Sequence, residues 1–132
     1  MNPQPCAGAV VLDGAGRLLV IRRGQEPSLG RWSIPGGRCL PDEDRADACV
    51  REVAEETGLV VRVLRAAGQV ELDGPGGAVY DVVDFHCEPV GGELRAGDDA
   101  LDARWVTRAE LDELDLAPGL VDALTEWGLL PR

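Results

Sequence analysis

Residues 37–59 read GRCLPDEDRADACVREVAEETGL, and three glutamates within them, Glu52, Glu55 and Glu56, fall on one side of a helix expected over residues 45–57. At ~100° per residue Glu52 and Glu56 lie on adjacent turns with Glu55 beside them, so three negative charges share about a quarter of the circumference. Each like-charged neighbour pair costs an isolated helix ~0.2–0.5 kcal/mol, so the cluster weakens the helix unless a cation sits against it. Ala46, Cys49, Val50 and Val53 recur at three- and four-residue spacing on another side, the face expected to meet a core. Asp44 is a good N-cap with Asp47 three residues on, and Thr57-Gly58 supplies a left-handed stop. Taken singly, each glutamate reads as solvated surface of an acidic chain. Taken together, they point to a divalent metal.

The neighbouring residues extend the pattern. Arg51 directly precedes the first of the three glutamates, Glu43 stands where it can fold back onto Arg51, and Gly36-Gly37 opens the stretch. Gly37, five residues, Glu43, seven residues and then Arg51-Glu52-Val53-Ala54-Glu55-Glu56-Thr57-Gly58-Leu59 resembles the Nudix box, the signature of the Nudix hydrolases. Every fixed position is matched. Upstream, Pro27-Ser28-Leu29-Gly30-Arg31-Trp32-Ser33-Ile34-Pro35-Gly36-Gly37 is similar to the loop, short strand and Gly-Gly turn that lead into the box, and Arg104-Trp105-Val106 is similar to a late core strand. Leu40 and Asp42 depart from the commonest form, standing where many relatives have Glu and Gly.

The resemblance implies an α/β fold, a Nudix-type α/β/α sandwich with a mixed β-sheet. It implies Mg²⁺ or Mn²⁺ held by Glu52, Glu55 and Glu56 with the Gly36 carbonyl, hard oxygen donors suited to these ions. Glu52 is the first candidate for the base that activates water, a role the family distributes variously. Asp99, and after it Asp98, lie in an expected loop where relatives often carry a further acidic ligand or base. Glu43 and Arg51 are expected to clamp loop to helix through a bidentate salt bridge.

The rest of the chain agrees with one such unit. Its 132 residues, 45 % of them apolar, suit a single domain over 1–132 with a core that needs no staples. The N-terminus lacks a basic segment followed by an apolar stretch, and no run approaches the ~18 apolar residues of a membrane span, so a soluble, cytoplasmic protein is expected. Cys6, Cys39, Cys49 and Cys87 show no CxxC pairing and there is one histidine, which argues against zinc and leaves reduced thiols as the default. A net charge of −11 disfavours nucleic acid and anionic membrane as partners. A small nucleoside diphosphate derivative meets the same repulsion unless divalent cations bridge it to the carboxylates. A homodimer is compatible with the family.

Strands are expected over 7–12 and 18–23 as a hairpin about Asp13-Gly14-Ala15-Gly16, and over 60–72 and 79–88 about Asp73-Gly74-Pro75-Gly76-Gly77. Thr107 is expected to cap a short helix through Leu114, and Pro118-Gly119 to open a last one ending near Gly128. His86 reads as a packed or surface residue, and Trp105 and Trp127 as packing. Trp32 and Tyr80 are open between stacking on a base and packing, as are Arg22, Arg23 and Arg31 between phosphate contact and surface charge. The resemblance implies cleavage of a nucleoside diphosphate linked to another moiety. Pro75, sixteen residues beyond Leu59, is the feature associated with ADP-ribose hydrolases of the family, so ADP-ribose or a related dinucleotide is the first reading. A (d)NTP pyrophosphatase of the MutT type, oxidised nucleotides included, is the alternative, and a non-catalytic nucleotide sensor the reading of another class.

Overall fold

The computed structural model describes residues 2–132. Two sheets form. Strands β1 (Gln4–Val11), β4 (Gly36–Arg38), β5 (Leu59–Asp73) and β6 (Val79–Gly92) make a four-stranded sheet in the order β4-β1-β6-β5. Strands β2 (Leu18–Arg23), β3 (Trp32–Ser33) and β7 (Ala100–Val106) make a three-stranded sheet in the order β3-β2-β7. β1 and β6 run parallel, from Gln4 opposite Tyr80 to Val11 opposite Cys87, while the other pairs are antiparallel. The expected mixed sheet with flanking helices is therefore present.

Helix α1 (Arg45–Thr57) begins where Asp44 accepts from the Ala46 N–H at 3.1 Å and ends at Gly58, whose φ of 74° only glycine adopts at low cost. The expected boundaries hold. Among the described residues Asp47 returns no bond to the cap. Cys49 and Val53 are buried as expected and Ala48 joins them, whereas Ala46 and Val50 are only half-buried. These side chains pack on Ala7, Ala9 and Val11 of β1, small residues that let the helix approach the sheet closely. The alternate β1 residue Val10 faces a second core with Leu18, Val20, Trp32, Val106, Leu111, Leu120 and Leu124. Each fully buried Val or Leu contributes about 1.5–3 kcal/mol. Helices α2 (Arg108–Asp112) and α3 (Leu120–Trp127) close that second side. The first is shorter than expected, with Thr107 and Glu110 forming a full capping box, and the second ends at Gly128 as expected.

The expected hairpin between the first two strands is corrected. Asp13 does reverse the chain, its carboxylate accepting from the Ala15 and Arg17 N–H groups at 3.0 and 2.8 Å. Beyond one bridge, Leu12 to Leu18, the strands part and enter different sheets. Both strands are apolar on both faces because each lies between the two cores, and each finds its ladder partners elsewhere, β4 and β6 for β1 and β3 and β7 for β2. The turn residues fixed the reversal but not the pairing. The long strands β5 and β6 do pair as a hairpin, and Pro75 opens a tight turn at its tip.

Both departures in the box have a visible place in the loop before α1. Asp42 stands at φ 64°, the left-handed conformation glycine would serve, and Leu40 donates its N–H to Glu43 Oε1 at 2.9 Å. Asp tolerates this region better than most residues but not freely. Asp42→Gly is expected to stabilise the fold by up to about 1 kcal/mol and Asp42→Val to destabilise it by at least as much, read as shifts of the urea midpoint at constant slope.

Candidate active site

Arg51 organises the region. From the outer side of α1 its Nε and Nη2 donate to the two oxygens of Glu43, both at 2.9 Å, and Nη2 also reaches the Arg38 carbonyl at 3.0 Å. Its Nη1 donates to Glu52 at 2.9 Å and to Glu55 at 3.1 Å. One planar fork thus ties the loop, β4 and the helix together, as bidentate Arg–carboxylate geometry allows. The Arg51 guanidinium and the Leu40 N–H hold the Glu43 carboxyl at about 2, well below the usual range.

The three glutamates share a helix side but not an environment. Glu55 is half exposed, Glu52 is largely covered, and Glu56 is 7 % exposed. Glu56 Oε1 accepts from the Gly36 N–H at 2.9 Å, which pins the Gly-Gly turn to the end of the helix. A side chain at Gly37 is impossible without displacement, because a Cβ there would stand 2.6 Å from the Glu52 carboxyl carbon. Burial pushes Glu56 up to about 8, and the adjacent Glu52 carboxyl adds to the shift while the Gly36 N–H and Arg23 oppose it. Two carboxyls in contact, one buried, with only one N–H bond between them and the backbone, are a donor set that a hard divalent cation fits. Among the described residues the acids do not converge into a ready-made cation cage, since Arg51 holds Glu52 and Glu55 aside.

Other sequence candidates are dispersed. Asp99 lies at φ 65° with Oδ1 accepting from Gln25 Nε2 at 2.8 Å, whereas Asp98 lines a crevice of about 460 Å³ with Glu55, Arg95 and Gly97. The 95–97 segment is fastened to the end of α1 by the Arg95 and Gly97 N–H groups, which donate to the Thr57 and Glu56 carbonyls. Of the two aspartates it is Asp98 that shares a crevice with Glu55. Arg22 and Arg23 donate to the Gly30 and Pro27 carbonyls and shape the loop that precedes β3. Trp32 is buried under the Arg104 guanidinium at 4.6 Å, and Tyr80 receives a hydrogen bond from Arg38 at 3.0 Å. His86 is half-buried on β6, and Trp127 packs over Gly68. A residue the sequence reading passed over is Asp84, 6 % exposed on β6 and pushed up to about 6 by burial. Its signal is a lone acid inside the apolar run Val82-Val83-Asp84-Phe85.

Comparison with known proteins bears on the whole arrangement. The model of the NUDIX domain matches residues 2–127. A Mycobacterium tuberculosis protein named putative 8-oxo-dGTP diphosphatase 2 is 36 % identical over 119 residues, covering 89 % of this chain and 82 % of that one. An ADP-ribose pyrophosphatase of Methanocaldococcus jannaschii is 37 % identical over 112 residues, covering 80 % of this chain but only 66 % of the relative. The crystal structure of a MutT NUDIX hydrolase from Burkholderia pseudomallei superposes with a TM-score of 0.82 at 26 % identity, over 95 % of this chain and 98 % of the other. The chain belongs to the Nudix hydrolase family, whose members commonly use divalent metals.

Two outcomes follow from this geometry. Arg51→Lys keeps the charge but loses the fork, and is expected to cost about 1–3 kcal/mol of stability in denaturant titration. Glu56, ordinarily near 4.5, is raised in the folded state, so its contribution is full below pH ~4.5 and is lost as pH rises through about 8. In chelator-treated protein the melting temperature of wild type should therefore fall across that window relative to Glu56→Gln, and parallel curves would refute the buried-proton assignment.

Proposed function

We propose that residues 1–132 act as one metal-dependent pyrophosphohydrolase, cleaving a phosphoanhydride bond in a nucleoside diphosphate linked to a further group. The observation that carries this reading is the set of glutamates braced by Arg51 against the Gly36-Gly37 turn, with one carboxyl buried and one open to solvent. Glu52, Glu55 and Glu56 with the Gly36 carbonyl would hold Mg²⁺ or Mn²⁺. The ion would offset the charge of the diphosphate and lower the pKa of a water molecule. Glu56 gives up its proton to ionise. Glu52 takes the proton of the attacking water, Asp98 stands next in line through its crevice with Glu55, and Asp99, bonded to Gln25, comes after it. Arg51 and Glu43 keep the loop in place, and Arg23, within electrostatic range of Glu56, offers positive charge to a phosphate in an otherwise acidic protein.

For the substrate, the (d)NTP reading, oxidised nucleotides included, is put first. The M. tuberculosis relative named for 8-oxo-dGTP matches this chain across most of both lengths. Pro75, the feature that favoured ADP-ribose, has a sufficient role as the first residue of a tight turn. ADP-ribose remains the second reading, favoured by the M. jannaschii relative. Four free cysteines support a reducing, cytoplasmic setting, and among the described residues no helix is long and apolar enough to cross a membrane.

Product analysis with Mg²⁺ or Mn²⁺ against (d)NTPs, oxidised nucleotides, ADP-ribose, dinucleotides and nucleotide sugars tests the reading. Metal-dependent release of a nucleoside monophosphate is expected, and binding without turnover across the panel would turn the assignment to a sensor. Glu52→Gln and Glu56→Gln should fold and lose turnover by about 10²-fold or more, and full activity in either would overturn the site.

A further inference from the structure

The two edges of the four-stranded sheet are unequal: β4 is 3 residues long, whereas β5 runs for 15. On its inner side β5 is laddered to β6. Among the described residues no backbone–backbone hydrogen bond joins residues 59–73 to any segment other than β6, so the outer side stands open. A long open edge is a template for another strand, and folded proteins ordinarily guard it with lysine, proline or a covering element. β5 carries neither lysine nor proline. Its bulges against β6 are confined to the residues before Gly68, and from Gly68 to Asp73 the register is unbroken.

The side chains of this strand are sorted along it. Arg62 and Arg65 lie in its first half, Glu71 and Asp73 in its second. Arg62 has Glu88 across the hairpin, whereas Arg65, Glu71 and Asp73 make no ion pair among the described residues. These charges sum to zero in a chain of net charge −11, so two copies can meet at this edge without the repulsion that the protein as a whole brings. Two identical edges related by a two-fold axis perpendicular to the sheet run antiparallel, and the first half of one then lies along the second half of the other. Arg65 of each copy faces the acidic end of its partner. A parallel pairing would set like charge on like and is disfavoured. With the axis near Gly68, Leu64 and Leu72, which are 47 % and 45 % exposed, approach each other across it and cover apolar surface that is open in the single chain. Ala66, Ala67 and Gly68 in the middle are small, which keeps bulk away from the axis.

We propose that the outer edge of β5 is a self-association surface, on which a second copy of this chain adds its own β5 antiparallel and continues the sheet across both copies. The proposal is independent of the hydrolase reading. A strand edge is small for a specific interface, so a dissociation constant of about 1–100 µM is expected. Sedimentation velocity of the full chain, from about 1 µM to about 1 mM, tests it on wild type, Arg65→Glu and Glu71→Arg. Wild type should dimerise, and each single variant should weaken the dimer by about 10-fold or more, because it sets like charges across both halves of the axis. An equimolar mixture of the two variants restores opposite charges at both places and should associate as wild type does. A wild type that stays monomeric at about 1 mM, a dimer that the single variants leave intact, or a mixture that fails to associate each overturns the proposal. Hydrogen exchange of wild type alone gives a reading that needs no variant. Amides of residues 59–73 should gain protection as concentration rises while those of β7 do not, and unchanged protection of β5 overturns the proposal even if neither variant folds.

Discussion

The guanidinium of Arg51 is the interaction on which the candidate site depends. It spans three carboxylates and a backbone carbonyl from three separate pieces of chain, the loop before the helix, the short edge strand β4 and the helix itself. Without it, Glu52 and Glu55 would repel across one turn of helix, and the loop would have only its own turn hydrogen bonds to hold it. A lysine cannot substitute in kind, because a point charge on a flexible stem does not bond both oxygens of Glu43 while also reaching Glu52 and Glu55. Fold and site share this residue. The same contacts that keep the glutamates from disrupting the helix also fix where Glu52 and Glu55 lie.

The second constraint is close approach. Alanines on the helix side of β1 let α1 settle near the sheet, and the Gly-Gly turn lets Glu52 and Glu56 lie directly against backbone. Burial follows from that approach, and it separates three chemically identical side chains into a buried inner acid, a covered middle one and a solvated outer one. On the other face of the same sheet, glycines again leave room, here for Asp84 and Trp127.

Much of this was legible in the chain. The helix limits followed from Asp44 and Gly58, since caps are local chemistry, and the clamp between Glu43 and Arg51 followed from spacing within one motif. The long β5–β6 hairpin was readable from its turn residues and β-branched runs. What sequence could not supply was partnership between distant segments. The first two strands carry a sound turn signal, yet they separate, because β1 pairs with β4 and β6 and β2 with β3 and β7, partners that a local turn does not specify.

The contrast is clearest at individual acids. Periodicity put Glu52, Glu55 and Glu56 on one side of a helix, because the angle between residues is set by backbone geometry alone. Which of them is buried depends on where the Gly36-Gly37 turn crosses the helix end, and only the tertiary structure decides that. The sequence reading put Asp99 ahead of Asp98, whereas in the structure Asp99, left-handed, accepts a bond from Gln25 and it is Asp98 that lines the crevice with Glu55. Asp84 drew no notice in the sequence, and only cross-strand register sets it over Gly8. The sequence by itself determined the local elements and the box, where every partner lies within a few turns. Burial and register, which join residues dozens of positions apart, belonged to the tertiary structure, because desolvation is set by what packs against a group and not by what precedes it in the chain.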